Sequence, residues 1–175
     1  MQDAFAILQL PRRPWLEEAE VRAAFQKAAA RMHPDAASGS AADFSELTKA
    51  YQTLRKPALR LRHLLALECP AAPSTAPLPA ELMGLFPVIA AVRQKLDSAR
   101  SPADLASARF EAQAADKQLQ DAMDLALGDA RKADGSWPSE AALHALPALQ
   151  ARLAFLEKWQ AQLREALLRL DIGGV

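Results

Sequence analysis

The chain has one cysteine, Cys69, so it can form no internal disulfide and carries no thiolate cluster for zinc or an iron–sulfur centre. A lone thiol fits a reducing cytoplasm. Glycine is scarce, with 6 in 175 residues. There is no glycine-rich phosphate loop and no nucleophile elbow, so the chain is not expected to bind ATP or to act as a serine hydrolase. Neither charge is in excess, Lys+Arg and Asp+Glu both numbering 21, which argues against the basic surplus of a nucleic-acid binder. No apolar run approaches the roughly 20 residues that span a bilayer. The start, MQDAFAILQLPRRPW, has no basic segment leading into an apolar one. A cytoplasmic protein without membrane contact is the expectation.

What the chain does have is alanine and leucine. Hydrophobic residues make up 51% of it, yet aromatics only 6%, and β-branched residues are thin. Strong helix formers dominate, so the expected fold class is all-α. A short apolar segment, Asp3 to Leu10, ends at the break PRRPW, where two prolines restrict the backbone. A helix then starts near Glu17, its acidic first turn suited to the positive end of the helix dipole. Val21, Phe25, Ala28 and Met32 form its apolar stripe. Pro34 ends it. After the polar loop HPDAASGSAAD comes a helix whose apolar face is Phe44, Leu47, Tyr51 and Leu54, followed by one from Pro57 to about Leu67 with Leu61, Leu64 and Leu65 turned inward.

PAAPSTAPLP, residues 70–79, holds four prolines in ten positions and reads as a stiff linker. The expected domains are therefore 1–69, a linker at 70–79, and 80–175. In the last of these the spacing predicts helices from Pro79 to Leu96, from Ser101 (as cap, with Pro102 at the first helical position) to Lys132, and a final one to Leu170. Pro147 predicts a kink or a fresh start in the last helix. Three long helices with short turns suggest an antiparallel bundle.

The one tripeptide with a mechanism behind it is His33-Pro34-Asp35. Proline fixes φ and offers no donor, an imidazole can donate and accept, and a carboxylate can pair bidentately with an arginine. A rigid loop presenting both groups can stabilise one state of a partner without doing chemistry. Read alone, the tripeptide is more readily a helix-ending turn. Set between a helix ending in HPD and one containing KAYQTL, with a short helix before and after, it resembles the J-domain. The fuller pattern, FAILQLP (Phe5 to Pro11), AYQTLRKPALRLRHLLAL (Ala50 to Leu67) and RLAFLEKWQAQLREALLRL (Arg152 to Leu170), is similar to the HscB family of J-proteins of iron–sulfur cluster assembly.

That resemblance implies a four-helix J-domain, an antiparallel hairpin with the HPD loop at its tip, joined to a C-terminal three-helix bundle. It implies a co-chaperone and not an enzyme, with no cofactor and no metal, that stimulates a DnaK/HscA-type ATPase and delivers an IscU-like iron–sulfur scaffold. The chaperone-facing residues would be His33, Pro34 and Asp35, with Lys27 and Arg31 on the preceding helix; a merely solvated basic face is the competing reading of those two. Ala36 stands where the family often has lysine, implying a weaker electrostatic attraction. The client-facing residues would be Leu82, Met83, Phe86 and Phe155. Helical periodicity alone would put the same four in the bundle core. The family's first bundle helix is acidic after its Leu-Met pair; here Leu82 and Met83 are followed by GLFPVIAAV, with no carboxylate between Met83 and Asp97. The alternatives are a general J-domain protein or helical adaptor with another client. A metal site using His33, Asp35 and His63 matches no helical two-histidine spacing.

Overall fold

In the computed structural model, residues 2–31, 41–70 and 79–172 are described. His33, Pro34, Asp35 and most of the proline-rich segment 70–79 lie outside them. Among the described residues every regular element is helical: α1 (Ala4–Leu8), α2 (Glu18–Arg31), α3 (Ala41–Arg55), α4 (Pro57–Glu68), a 3-10 turn (Ala80–Leu82), α5 (Leu85–Ser98), α6 (Pro102–Gly135) and α7 (Glu140–Ile172). None of the helices is long and apolar enough to cross a membrane.

The chain divides into two compact units, residues 1–74 with 129–150, and residues 75–128 with 151–175. In the first, α2 and α3 pair as the arms of a hairpin, α1 packs on both, and α4 packs on α3. Asp3 starts α1: its Oδ1 accepts from the amides of Phe5 (2.9 Å) and Ala6 (3.3 Å), as an N-cap should. Gln9 ends the helix in a left-handed conformation, φ 55°, closing it without glycine. Phe5, Val21, Leu47, Leu54, Leu61 and Leu64 form the centre of the core. Phe25 of α2 stacks on Tyr51 of α3 with ring centroids 4.5 Å apart. Phe44, expected on the apolar face of α3, is 45% exposed. It sits in the first turn of α3, where helical spacing assigns a face but cannot say whether a neighbour reaches it.

Burying one face of each helix is what assembles the second unit. From α5 come Ile89, Val92 and Leu96; from α7, Leu153, Leu156 and Leu163. The buried side of α6 is largely alanine (Ala108, Ala112, Ala115, Ala126), so small side chains alternate with leucines as close packing requires. Ser101 and Asp104 make a reciprocal cap for α6, Asp104 N–H to Ser101 Oγ at 3.1 Å and Ser101 N–H to Asp104 Oδ2 at 3.2 Å. Two expectations shift. The first helix of this region does not run from Pro79: a 3-10 turn comes first and α5 begins at Leu85, which puts Pro87 in the first turn, where its missing N–H has no partner to lose. Nor does Pro147 start a new helix; α7 is unbroken from Glu140, held there by the burial of Leu146 and Leu149.

Candidate functional site

Lys27 and Arg31 lie one turn apart on α2, both exposed, beside a shallow groove of about 280 Å3 between α2 and the end of α1. Ile7, Leu8 and Ala28 supply its apolar lining. Arg22 is directed elsewhere: it pairs with Glu18 at 2.7 Å and neighbours Tyr51, both of which raise its pKa. The two basic residues that share a face in the sequence therefore share one in the fold. They occupy the half of α2 that leads, two residues after Arg31, into His33-Pro34-Asp35, which is outside the described residues.

The segment before α2 is where sequence reasoning saw only a break. It is held from two sides. From within, Arg60 of α4 is 2% exposed; its Nε donates to the Pro14 carbonyl at 3.1 Å and its Nη1 to the Leu54 carbonyl at 3.0 Å, with the Leu16 carbonyl at 3.5 Å. From without, the C-terminal end of α6 and the turn after it close over it within the same compact unit. Asp134 takes the Arg13 guanidinium on both carboxylate oxygens and accepts the Trp15 amide at 3.2 Å. Burial works to raise the Asp134 carboxyl, but Arg13 and the Trp15 N–H outweigh it and hold it below the usual range. Trp137 donates its indole N–H to the Arg12 carbonyl at 2.8 Å. The Arg131 guanidinium lies 4.4 Å over the Trp15 ring, within cation–π range, and reaches Glu17 at 3.3 Å. A sequence signal for this contact existed: two of the 3 tryptophans stand beside prolines in polar turns, where a large ring has no helix face to bury it.

His63 is not arranged as a ligand. It is buried, stacks on Phe5 at 5.7 Å, and its Nε2 accepts the Ala4 amide at 2.9 Å. An accepting Nε2 leaves the proton on Nδ1. Burial pushes its pKa below the usual histidine value; Asp3 opposes this, while Arg12 and the N-terminal amine add to it.

In the second unit the four expected client-facing residues separate. Leu82 is 2% exposed and belongs to the core, whereas Met83 and Phe86 are 60% and 55% exposed. Phe155 is half-buried, beside Trp159, whose ring is 5.9 Å from it and 6.2 Å from Phe86. The exposed part of the expected patch is thus Met83 and Phe86, bordered by Phe155. Leu82 faces the other way because it closes the 3-10 turn that packs down ahead of α5.

Residues 3–63 match the DnaJ domain family. Over 74 residues it is 45% identical to a co-chaperone protein HscB homolog from Chromobacterium violaceum, a match covering 38% of this chain and 42% of that protein, less than half the relative's length. The fold extends the likeness. The chaperone HscB from Vibrio cholerae superposes with a TM-score of 0.65 over 97% of this chain and 99% of its own, at 20% identity. Human co-chaperone HscB gives 0.54 over 94% and 81%, at 17% identity. The fold is HscB-like: a segment that matches the DnaJ domain, followed by a helical C-terminal region.

Proposed function

We propose that the chain is a co-chaperone that stimulates the ATPase of a DnaK/HscA-type chaperone through His33-Pro34-Asp35 and delivers a client, the iron–sulfur scaffold, on its C-terminal helices. The observation that carries this reading is that the DnaJ-domain match runs through the tripeptide, with α2 on one side and α3 on the other. Lys27 and Arg31 add positive charge on the approach to it. The chemistry asked of the chain is recognition alone: an imidazole and a carboxylate offered to a nucleotide-hydrolysing partner, with the electrostatics steering the encounter. Its catalytic groups belong to that partner.

For the client, Met83 and Phe86 are exposed beside Phe155. Methionine adapts to a partner's contour and phenylalanine anchors in a pocket. Leu82 supports that surface from beneath. The corresponding division of the chain is a J-domain at 1–69, a linker at 70–79 and a client-binding bundle at 80–175, and the place of work is the cytoplasm. The test is steady-state ATP hydrolysis by a purified HscA-type chaperone with and without this chain: His33→Gln leaves the fold intact and removes the stimulation. Equal stimulation by His33→Gln and the wild type would refute the reading.

A further inference from the structure

We infer that Asp134, in the last turn of α6, is a positioning residue for chaperone activation: by gripping the segment from Arg12 to Glu17 it sets the direction in which α2 leaves that segment, and hence where α2 presents its far end. This rests on the reading of the chain as an ATPase activator.

The gripped segment carries no helix or strand, so its course is set by what holds it. Four of its residues are held by three residues of the α6–α7 turn region. Arg12 gives its carbonyl to Trp137, Arg13 its guanidinium and Trp15 its amide to Asp134, and Trp15 and Glu17 their side chains to Arg131. Asp134 is the centre of the grip. Its side chain is 8% exposed, and it is the one group that fixes both a side chain and a backbone amide of the segment. A carboxylate can take a guanidinium fork and an amide together; an asparagine of the same size has one acceptor oxygen and turns two donors toward the remaining partners.

Helix α2 starts at Glu18, directly after this segment, and has 14 residues, which makes it about 21 Å long. A pivot of about 10° at its start would carry the Arg31 end through about 4 Å, against the tolerance of about 0.5 Å that a productive recognition geometry allows. Along α2 the only fully buried side chain is Val21, in the first turn, so the half bearing Lys27 and Arg31 depends most on how the helix is aimed.

The experiment compares full-length wild type, Asp134→Asn, Asp134→Glu, Arg13→Gln and the Arg13→Gln/Asp134→Asn double variant. Stimulation of a purified HscA-type chaperone is titrated against each. Asp134→Asn raises the half-maximal concentration roughly tenfold, short of the hundredfold that an ångström of misplacement costs at a reacting centre. Asp134→Glu recovers part of it. The double variant is no worse than Asp134→Asn, because the two residues act as one unit. If Asp134→Asn is folded and its half-maximal concentration equals that of the wild type, the positioning role is refuted. His33→Gln run alongside separates the two claims: stimulation by it sinks the activator reading, whereas its inactivity beside a wild-type-like Asp134→Asn sinks only this one. Should Asp134→Asn fail to fold, Trp137→Phe decides, since it removes only the indole donor to the Arg12 carbonyl. A smaller shift in the same direction supports the role, and an unchanged curve overturns it.

Discussion

Replacing Arg60 with methionine tests the physical account of the J-domain most sharply. Methionine keeps much of the stem's volume and deletes the guanidinium. Two carbonyls, Pro14 at 3.1 Å and Leu54 at 3.0 Å, lose a charged donor in a site 2% exposed; the Leu16 contact at 3.5 Å is too long to count for much. A hydrogen bond to a charged group contributes about 1.5–3 kcal/mol net of desolvation, so two give a loss of at least about 3 kcal/mol. For a chain of this length that lowers Tm by about 6–12 °C. The assay is urea unfolding followed by circular dichroism. Arg60→Lys recovers only part of the loss, because a single ammonium cannot reproduce the planar fork. A stability within about 0.5 kcal/mol of the wild type for Arg60→Met would show that the carbonyls find other donors and would refute the argument.

Because burial keeps His63 neutral when folded, the unfolded chain binds the extra proton below its ordinary value of about 6.5. Stability is therefore complete above that pH and falls as pH drops through the interval beneath it. Urea midpoints measured from pH 7.5 to 5 should fall more steeply for the wild type than for His63→Gln; parallel curves would contradict the buried acceptor. Asp3, held below the carboxylate range by Arg12 and the α1 amides against the pull of burial, stabilises the fold at neutral pH, and that contribution is lost only at more acid pH, as pH falls below the ordinary carboxylate value. Leu82→Ala should cost about 2–5 kcal/mol as a core truncation, while Phe86→Ser should cost under about 1 kcal/mol and weaken capture of the scaffold in a pull-down. The reverse pattern would exchange their assignments.

Much of this fold is written in helical periodicity. Leu47, Leu54, Leu61 and Leu64 are buried as their spacing requires, and the Ser101 cap is made as its neighbours suggest. Pro147 is carried through α7 without starting a new helix, and Pro87 falls in the first turn of α5, where local preference already allows a proline. The grip on the α1–α2 segment left one trace, the two tryptophans beside prolines in polar turns; its pairings were not legible, because the partners are 114 to 125 positions apart and contacts at that separation leave no periodic pattern. Of the candidate site, the shared face of Lys27 and Arg31 follows from a four-residue spacing. The division of Leu82 from Met83 and Phe86 does not, since it depends on a 3-10 turn that hydrophobic spacing read as α-helix.

The central claim is tested most directly by a single-turnover measurement. A preformed complex of an HscA-type chaperone with ATP is mixed with increasing amounts of the full-length chain, and the hydrolysis rate is followed. The account predicts a rate that rises and saturates with the wild type and stays at its basal value with His33→Gln at every concentration. A flat response to the wild type, or superimposable curves for the two proteins, would contradict it.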